Sequence, residues 1–337
     1  MVYLIIFVVG FLVTAVSTPM ARKLSFKLGV VATPGGRRLH EGHMPKLGGV
    51  PLMVGLLAAW GGIYWLIPPE STDASLLFGV ILGTLVLFIG GVLDDYFDLP
   101  PWAQFGIQFV GVGVAMWREV FIERFRNPIT GKEVIVDFWL LILVLTLIWI
   151  VGMINTINWL DGLDGLAVGV GTIASLLFAW HSYSLKQYTV AAFPLALAGA
   201  LIGFLIFNFV PAKIFLGSAG AYLLGYQLAT LSIISPAKIA TALLVLAVPI
   251  IDVAWRIIDR LRQGRSPFQG DRGHLHHILY DRGLPMRSIV VGYYAITIAF
   301  GVTAIWMPSP LGKLVVLVVL GTAVMVLLIR LSRHKVN

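Results

Sequence analysis

Long apolar runs alternate with short polar seams along the chain. Runs near residues 2–20, 47–67, 75–93, 103–117, 138–156, 165–183, 189–209, 216–234, 237–255, 288–306 and 312–331 stand out. Each is close to the roughly 20 residues that carry an apolar helix across a bilayer. The pattern predicts an all-α polytopic membrane protein with eleven transmembrane helices, or ten if the ninth run leaves the membrane early. The first run lacks a basic leader and a small-residue cleavage site, so it reads as a retained span. No internal repeat or second soluble domain breaks the pattern, and residues 1–337 read as one integral membrane domain.

Composition agrees. The 337 residues are 58% hydrophobic and 12% charged, with a mean hydropathy of +0.92. Soluble domains carry about 25% charged residues, so a soluble globular class is excluded. The net charge of +8 would suit nucleic acid, but basic residues in a membrane protein first report orientation. No nucleic-acid partner is expected. The chain has no cysteine, which removes disulfides and thiol chemistry.

Placing the N-terminus outside puts 17 Lys and Arg in cytosolic connections and the C-terminal tail, against 7 on the other face. The excess of basic residues on the cytosolic side therefore selects an external N-terminus and a cytosolic C-terminus. Residues 118–137 become an external loop, with a hairpin around "NPITGKE", and 256–287 a cytosolic loop rich in Arg and His. The same assignment gathers "RRLHEGHMPKLGG", "LDDYFD", "NWLDGLDG", "KIFLGSAG" and "DRGHLHHILYDRG" on the cytosolic face. Five polar loops at one face describe an active site at a membrane surface. An ion-coupled transporter would place its acids mid-span and often show inverted repeats.

The polar residues themselves suggest phosphate chemistry. Asp94 and Asp95 end the third run, where the negative end of a helix dipole disfavours carboxylates. A divalent cation or a nearby Arg or Lys would relieve that, and a solvated "DDYFDLPP" turn is the plainer alternative. Asn158, Asp161 and Asp164 step by three, so on a helix they would share one broad face, flanked by Gly162, Gly165 and Gly169. Such hard oxygen ligands suit Mg²⁺; a polar helix start is the alternative. His274, His276 and His277, with Asp271, Arg272 and Arg282, supply imidazoles and forked donors for oxyanions. They form no closed four-ligand zinc set, though a polybasic segment held on anionic lipid would also contain the arginines. Arg37, Arg38, His40, His43 and Lys46, before Gly48 and Gly49, make a natural anion-binding loop. Phosphoryl transfer, which asks mainly for positioning and charge neutralisation, would use all of these.

In order and spacing these motifs resemble the polyprenyl-phosphate N-acetylhexosamine-1-phosphate transferases, over roughly residues 1–330. "RRLHEGHMPKLGG" resembles that family's first cytosolic loop, "GGVLDDYFDL" its Asp-Asp motif, "NTINWLDGLDGLAVG" its Asn-x-x-Asp-Gly-x-Asp-Gly motif, and "HLHH" its histidine motif. The His-x-His-His form is similar to the UDP-N-acetylglucosamine branch. The resemblance implies transfer of a sugar 1-phosphate from a UDP-sugar to undecaprenyl phosphate, with release of UMP. It also implies a Mg²⁺ cofactor, with Mn²⁺ as the alternative, and a site on the cytoplasmic face of the cell membrane that starts a cell-envelope glycopolymer. Residue by residue, it assigns catalysis to Asp94, Asp95, Asp161 and Asp164. Substrate binding falls to Asn158, His274, His276, His277, Arg272, His40 and Lys46, and the metal to Asp94, Asp95 and Asp164. At Ser218, in "KIFLGSAGAYLLGY", the family has a metal-binding Asp; Ala219 and Ala221 stand where hydroxyl residues are usual, and the usual Lys after the Asp-Asp motif is missing from "DLPPWAQFGIQ". The implied partners are the UDP-sugar, undecaprenyl phosphate and membrane lipid, and a homodimer is compatible with them. A catalytically impaired relative that still binds carrier lipid or nucleotide is the alternative reading.

Overall fold

The computed structural model describes residues 1–32, 42–234, 237–266, 272–307 and 309–333. Thirteen helices lie among them: α1 Val2–Lys27, α2 Gly49–Leu66, α3 Ser71–Phe97, α4 Pro101–Trp117, α5 Trp139–Leu160, α6 Leu166–Ser184, α7 Tyr188–Asn208, α8 Gly217–Ile233, α9 Ala237–Val245, α10 Ala247–Arg262, α11 Leu275–Asp281, α12 Met286–Trp306 and α13 Pro310–Arg333. The protein is thus an α-helical polytopic membrane protein. Eight helices (α1, α2, α3, α5, α6, α7, α12 and α13) are long and apolar enough to cross a membrane alone. The pair α9–α10, bent by 78°, makes a ninth if counted as one span.

The count of eight or nine differs from the eleven runs for local reasons. Helices α4 and α8 have 17 residues each, at the short end of the about 17–25 that span a bilayer. The ninth run breaks at Leu246, three residues before Pro249, whose missing N–H cannot donate to the carbonyl of Val245.

Helix α8 forms the centre of the bundle. Every residue from Ala219 to Ile233 is buried, among α2, α3, α5, α6, α7 and α9. An unpaired polar group at that depth costs several kcal/mol, and most polar side chains of α8 find partners, Gln227 Oε1 being without one among the described residues. Tyr226 donates to the carbonyl of Gly79 at 3.2 Å, and the Gln227 amide donates to Thr84 at 2.6 Å. Helix α13, by contrast, leaves Val315, Val318 and Val319 exposed, as suits a lipid-facing helix.

Two local features position the site. A Cβ on Gly91 would collide with the backbone of Ala219, so only glycine lets the last turns of α3 lie directly on the first turn of α8. The segment before α2 is also tied to the one before α8. Strands β1 (Val31–Ala32) and β2 (Met44–Pro45) pair antiparallel, the Pro45 carbonyl accepts Phe215 N–H at 2.8 Å, and the Phe215 carbonyl accepts Gly48 N–H at 3.1 Å. At the other end of α4, β3 (Arg124–Arg126) and β4 (Glu133–Ile135) form the expected hairpin.

Candidate active site

Asp95 spans the contact between two helix ends. Its Oδ1 accepts the N–H of Ser218 at 2.9 Å and its Oδ2 the N–H of Ala219 at 3.0 Å. The first N–H groups of a helix lack intrahelical partners and sit at its positive end. A carboxylate on the unfavourable end of α3 is therefore compensated by the favourable end of α8. Asp94 is enclosed as well: Leu99 N–H and the Gln104 amide each donate to Oδ1 at 3.0 Å, and the Tyr222 hydroxyl donates to Oδ2 at 3.2 Å. The expected Lys is present as Lys46, whose charge reaches Asp95, and neutral donors hold the carboxylates directly, because Gly91 brings the α8 terminus within reach.

Asn158, Asp161 and Asp164 do not share a helical face. Helix α5 ends at Leu160, Asp161 is its C-cap, and Gly165 (φ 76°) opens α6, so only Asn158 is helical. Asp164 Oδ2 accepts Ala212 N–H at 2.8 Å. The half-buried Asp161 carboxylate has no hydrogen-bond donor among the described residues. Burial, and then the negative charges of Asp164 and Asp95, push it well above the ordinary carboxylate range. That is the signature of an acid lacking a counter-charge. Open oxygen coordination fits a hard divalent cation, yet no three acidic or imidazole side chains converge closely enough to hold one alone among the described residues. The protein ligands would have to share it with substrate oxygens, as Mg²⁺ sites commonly do.

Ser218 lies beside the acids, its amide on Asp95 and Gly217 (φ 72°) before it. A Cβ on Gly217 would also meet the carbonyl of Lys46, which brings Lys46 to the same place; its Nζ pairs with Asp98 at 3.2 Å. His40, with Arg37 and Arg38, and Asp271 lie outside the described residues.

The histidine motif forms the opposite wall. His276 and His277, on α11, are buried with their rings 4.3 Å apart. A Cβ on Gly162 would lie 2.5 Å from His276 Nε2 and 2.7 Å from His277 Nε2, so the two imidazoles close over the Asp161–Gly162 turn and only glycine fits beneath them. Neither ring nitrogen of His276 has a hydrogen-bond partner among the described residues. Burial, then His277 and His274, push its pKa well below the usual value, so the ring is neutral. His274 stacks on His276 with centroids 5.8 Å apart, lies 5.8 Å from Trp159, and brings Nδ1 to 2.9 Å from Asp252. Arg272, expected at the substrate, is engaged by Asp281 at the end of α11.

Sequence reasoning missed Gln104 and Tyr222, and missed Asp252, Arg256 and Arg260 altogether. The last three are buried and step by four along α10. Arg256 pairs with Asp259 at 2.6 Å, and Arg260 lies 5.6 Å above the Trp159 ring. Their spacing was a usable signal for one helical face. It was obscured because 256–287 read as a loop, whereas α10 runs to Arg262 and α11 occupies Leu275–Asp281.

Known proteins are similar to this chain over most of its length. The sequence model of glycosyl transferase family 4 matches residues 77–236, the stretch from Asp94 to Ser218 included. The chain is 31% identical over 364 residues to a decaprenyl-phosphate N-acetylglucosaminephosphotransferase of Mycolicibacterium smegmatis, covering 96% of this chain and 87% of the relative. It is 29% identical over 312 residues to a probable undecaprenyl-phosphate N-acetylglucosaminyl 1-phosphate transferase of Bacillus subtilis (90% and 84% covered). Against the undecaprenyl-phosphate alpha-N-acetylglucosaminyl 1-phosphate transferase of Escherichia coli K12 it is 28% identical over 292 residues (83% and 77% covered). Likeness of that extent, on a helical membrane scaffold that brings the acidic and histidine motifs together, means that the chain belongs to the polyprenyl-phosphate N-acetylglucosamine-1-phosphate transferases of glycosyl transferase family 4.

Proposed function

We propose that the protein transfers N-acetylglucosamine 1-phosphate, or a close relative, from its UDP-sugar to undecaprenyl phosphate and releases UMP, initiating a cell-envelope glycopolymer. The observation that carries this reading is the meeting of three motifs: Asp161 is close enough to Asp95 and Asp164 to feel their charge, and His276 and His277 close over Gly162. Asp161 and Asp164 would hold Mg²⁺ together with the donor's diphosphate; the ion would supply charge neutralisation. An oxygen of the lipid phosphate bonds to the sugar-linked phosphorus as the bond to the UMP oxygen breaks, and UMP leaves with that electron pair. Asp94 and Asp95 would stand at the acceptor side of the site, and Lys46, whose charge reaches Asp95, would hold the acceptor phosphate there. An apolar recess of about 440 Å³ between α3 and α4, lined by Val86, Ile89, Leu93, Trp102, Gly106 and Val110, opens one residue from Asp94 and would take the start of the polyprenyl chain.

With α4, α8 and the bent α9–α10 pair counted as crossings, the charge bias gives an external N-terminus and a cytosolic site in the cell membrane. Leu284→Cys should then be labelled from the cytosolic side and Thr130→Cys from outside; both positions are exposed. The opposite pattern would invert the topology. Activity is tested by purified protein in liposomes with undecaprenyl phosphate, Mg²⁺ and a panel of labelled UDP-sugars, with lipid-linked product and UMP as readouts. Ser218 favours a second reading, a relative that binds its ligands without turnover, because a hydroxyl is a weaker Mg²⁺ ligand than a carboxylate. UDP-sugar binding with no lipid-linked product from any donor would select it.

A further inference from the structure

We infer that Asp252 is a positioning residue that fixes the tautomer of His274, so that His274 Nε2 accepts a hydrogen bond from the sugar of the donor and does not bind its diphosphate. This rests on the proposed sugar-nucleotide reaction and assigns one subsite within it.

The argument begins with a buried carboxylate. Asp252, on α10, is 3% exposed and uses both oxygens: Oδ2 lies 2.9 Å from His274 Nδ1, and Oδ1 accepts the N–H of Leu275 at 3.0 Å. An ionised carboxylate only accepts hydrogen bonds, so Nδ1 carries the hydrogen, as it does when a carboxylate orients a ligating histidine. Packing between the tilted Trp159 ring and the stacked His276 ring restricts the ring's freedom to turn over. What remains is Nε2, which has no protein hydrogen-bond partner among the described residues although the side chain is 95% buried. Nε2 is the ring nitrogen left open on the site side, available to a ligand. With its hydrogen on Nδ1, the ring offers a lone pair at Nε2. Diphosphate oxygens are acceptors and cannot use it; a sugar hydroxyl or acetamido N–H can.

Asp252→Asn separates the two tasks of this side chain. The asparagine oxygen still accepts Leu275 N–H. Its NH₂ faces His274 Nδ1 and forces the hydrogen onto Nε2. In ¹⁵N-histidine-labelled protein, with the signal assigned by its absence in His274→Ala, the wild-type ring should show Nδ1–H, and Asp252→Asn should show Nε2–H. UDP-N-acetylglucosamine should shift the wild-type Nε2 signal and UDP should not. The variant should lose kcat/KM for the UDP-sugar by about 30-fold, mainly through KM, a loss of the size seen when partners orienting ligating histidines are removed. In a His274→Ala background Asp252→Asn should add less than about twofold, because its effect passes through the ring. The inference is overturned if the two substitutions multiply, if wild-type Nε2 carries the hydrogen, or if UDP alone shifts Nε2 as much as the UDP-sugar. Should Asp252→Asn fail to fold, the wild-type spectra with UDP and with UDP-sugar still decide. A wild-type protein that binds no UDP-sugar would instead overturn the proposed function.

Discussion

Asp94 and Asp95 at the end of α3, and Asp161 and Asp164 in the turn between α5 and α6, are the same chemical group in two environments. The α3 pair accepts hydrogen bonds from Leu99, Gln104, Tyr222, Ser218 and Ala219. Asp161 accepts none among the described residues and carries the repulsion of two neighbouring acids. The first pair is satisfied before any ligand arrives, and Asp95 joins two helix ends while being satisfied. In the second pair Asp164 accepts the N–H of Ala212, whereas Asp161 retains open coordination beside the negative charges of Asp164 and Asp95. On the proposed reaction the acids would divide the work: one pair would build the wall, and the other would hold the cation together with the donor.

This division predicts opposite signatures for matched substitutions. Asp161→Asn should give the largest loss, about a hundredfold or more in turnover, as expected for removing a charge that serves the transition state. It should not destabilise the metal-free protein. Because the folded carboxyl binds its proton more tightly than the unfolded one, its contribution favours folding at low pH and is lost as pH rises. The thermal midpoint of Asp161→Asn should accordingly exceed wild type by more at pH 8 than at pH 4. Asp95→Asn should instead lower stability. An amide can accept only one of the two α8 N–H bonds and sets its own NH₂ against the other, which costs about 2–4 kcal/mol of stability. A lowered thermal midpoint in detergent, with activity lost alongside it, is the expected result. If instead Asp95→Asn kept its stability and Asp161→Asn lost it, the roles would have to be exchanged.

Smaller effects test the surroundings of each pair. Gly162→Ala pushes a methyl group into His276 and His277 and should raise the KM for the UDP-sugar about tenfold, equal to about 1.4 kcal/mol of binding. Unchanged KM would mean that the imidazoles move aside freely. Ser218→Asp adds a carboxylate next to Asp95 and should tighten Mg²⁺ binding without nucleotide by about tenfold, since charge count sets affinity for hard cations. Titration calorimetry showing no change would remove residue 218 from the metal site.

Much of this was legible in the sequence. Length and apolarity located the helices, and the spacing of the motifs marked Asp94, Asp95, Asp161, Asp164 and the histidines. The turn at Asp161 was not, because a three-residue step fits a helix equally well; Gly165, at positive φ, ends that possibility. Nor could sequence say what neutralises Asp95, since its donors are backbone N–H groups 123 and 124 residues away, which any residue type could supply. Asp252 escaped for a related reason. Its role depends on α10 continuing past the apolar run and folding against α11, and the bend at Leu246 leaves only a weak trace in Pro249.

The division of labour between the two acid pairs is tested most directly by calorimetric titration of Mg²⁺, in the presence of UDP-N-acetylglucosamine, into wild type and Asp161→Asn. Wild type should show a saturable site. Asp161→Asn should bind Mg²⁺ about a hundredfold more weakly, as loss of a charged ligand predicts, while its thermal midpoint stays at or above wild type. Equal Mg²⁺ affinity in the two proteins would contradict the account and return the cation to the carboxylates of α3.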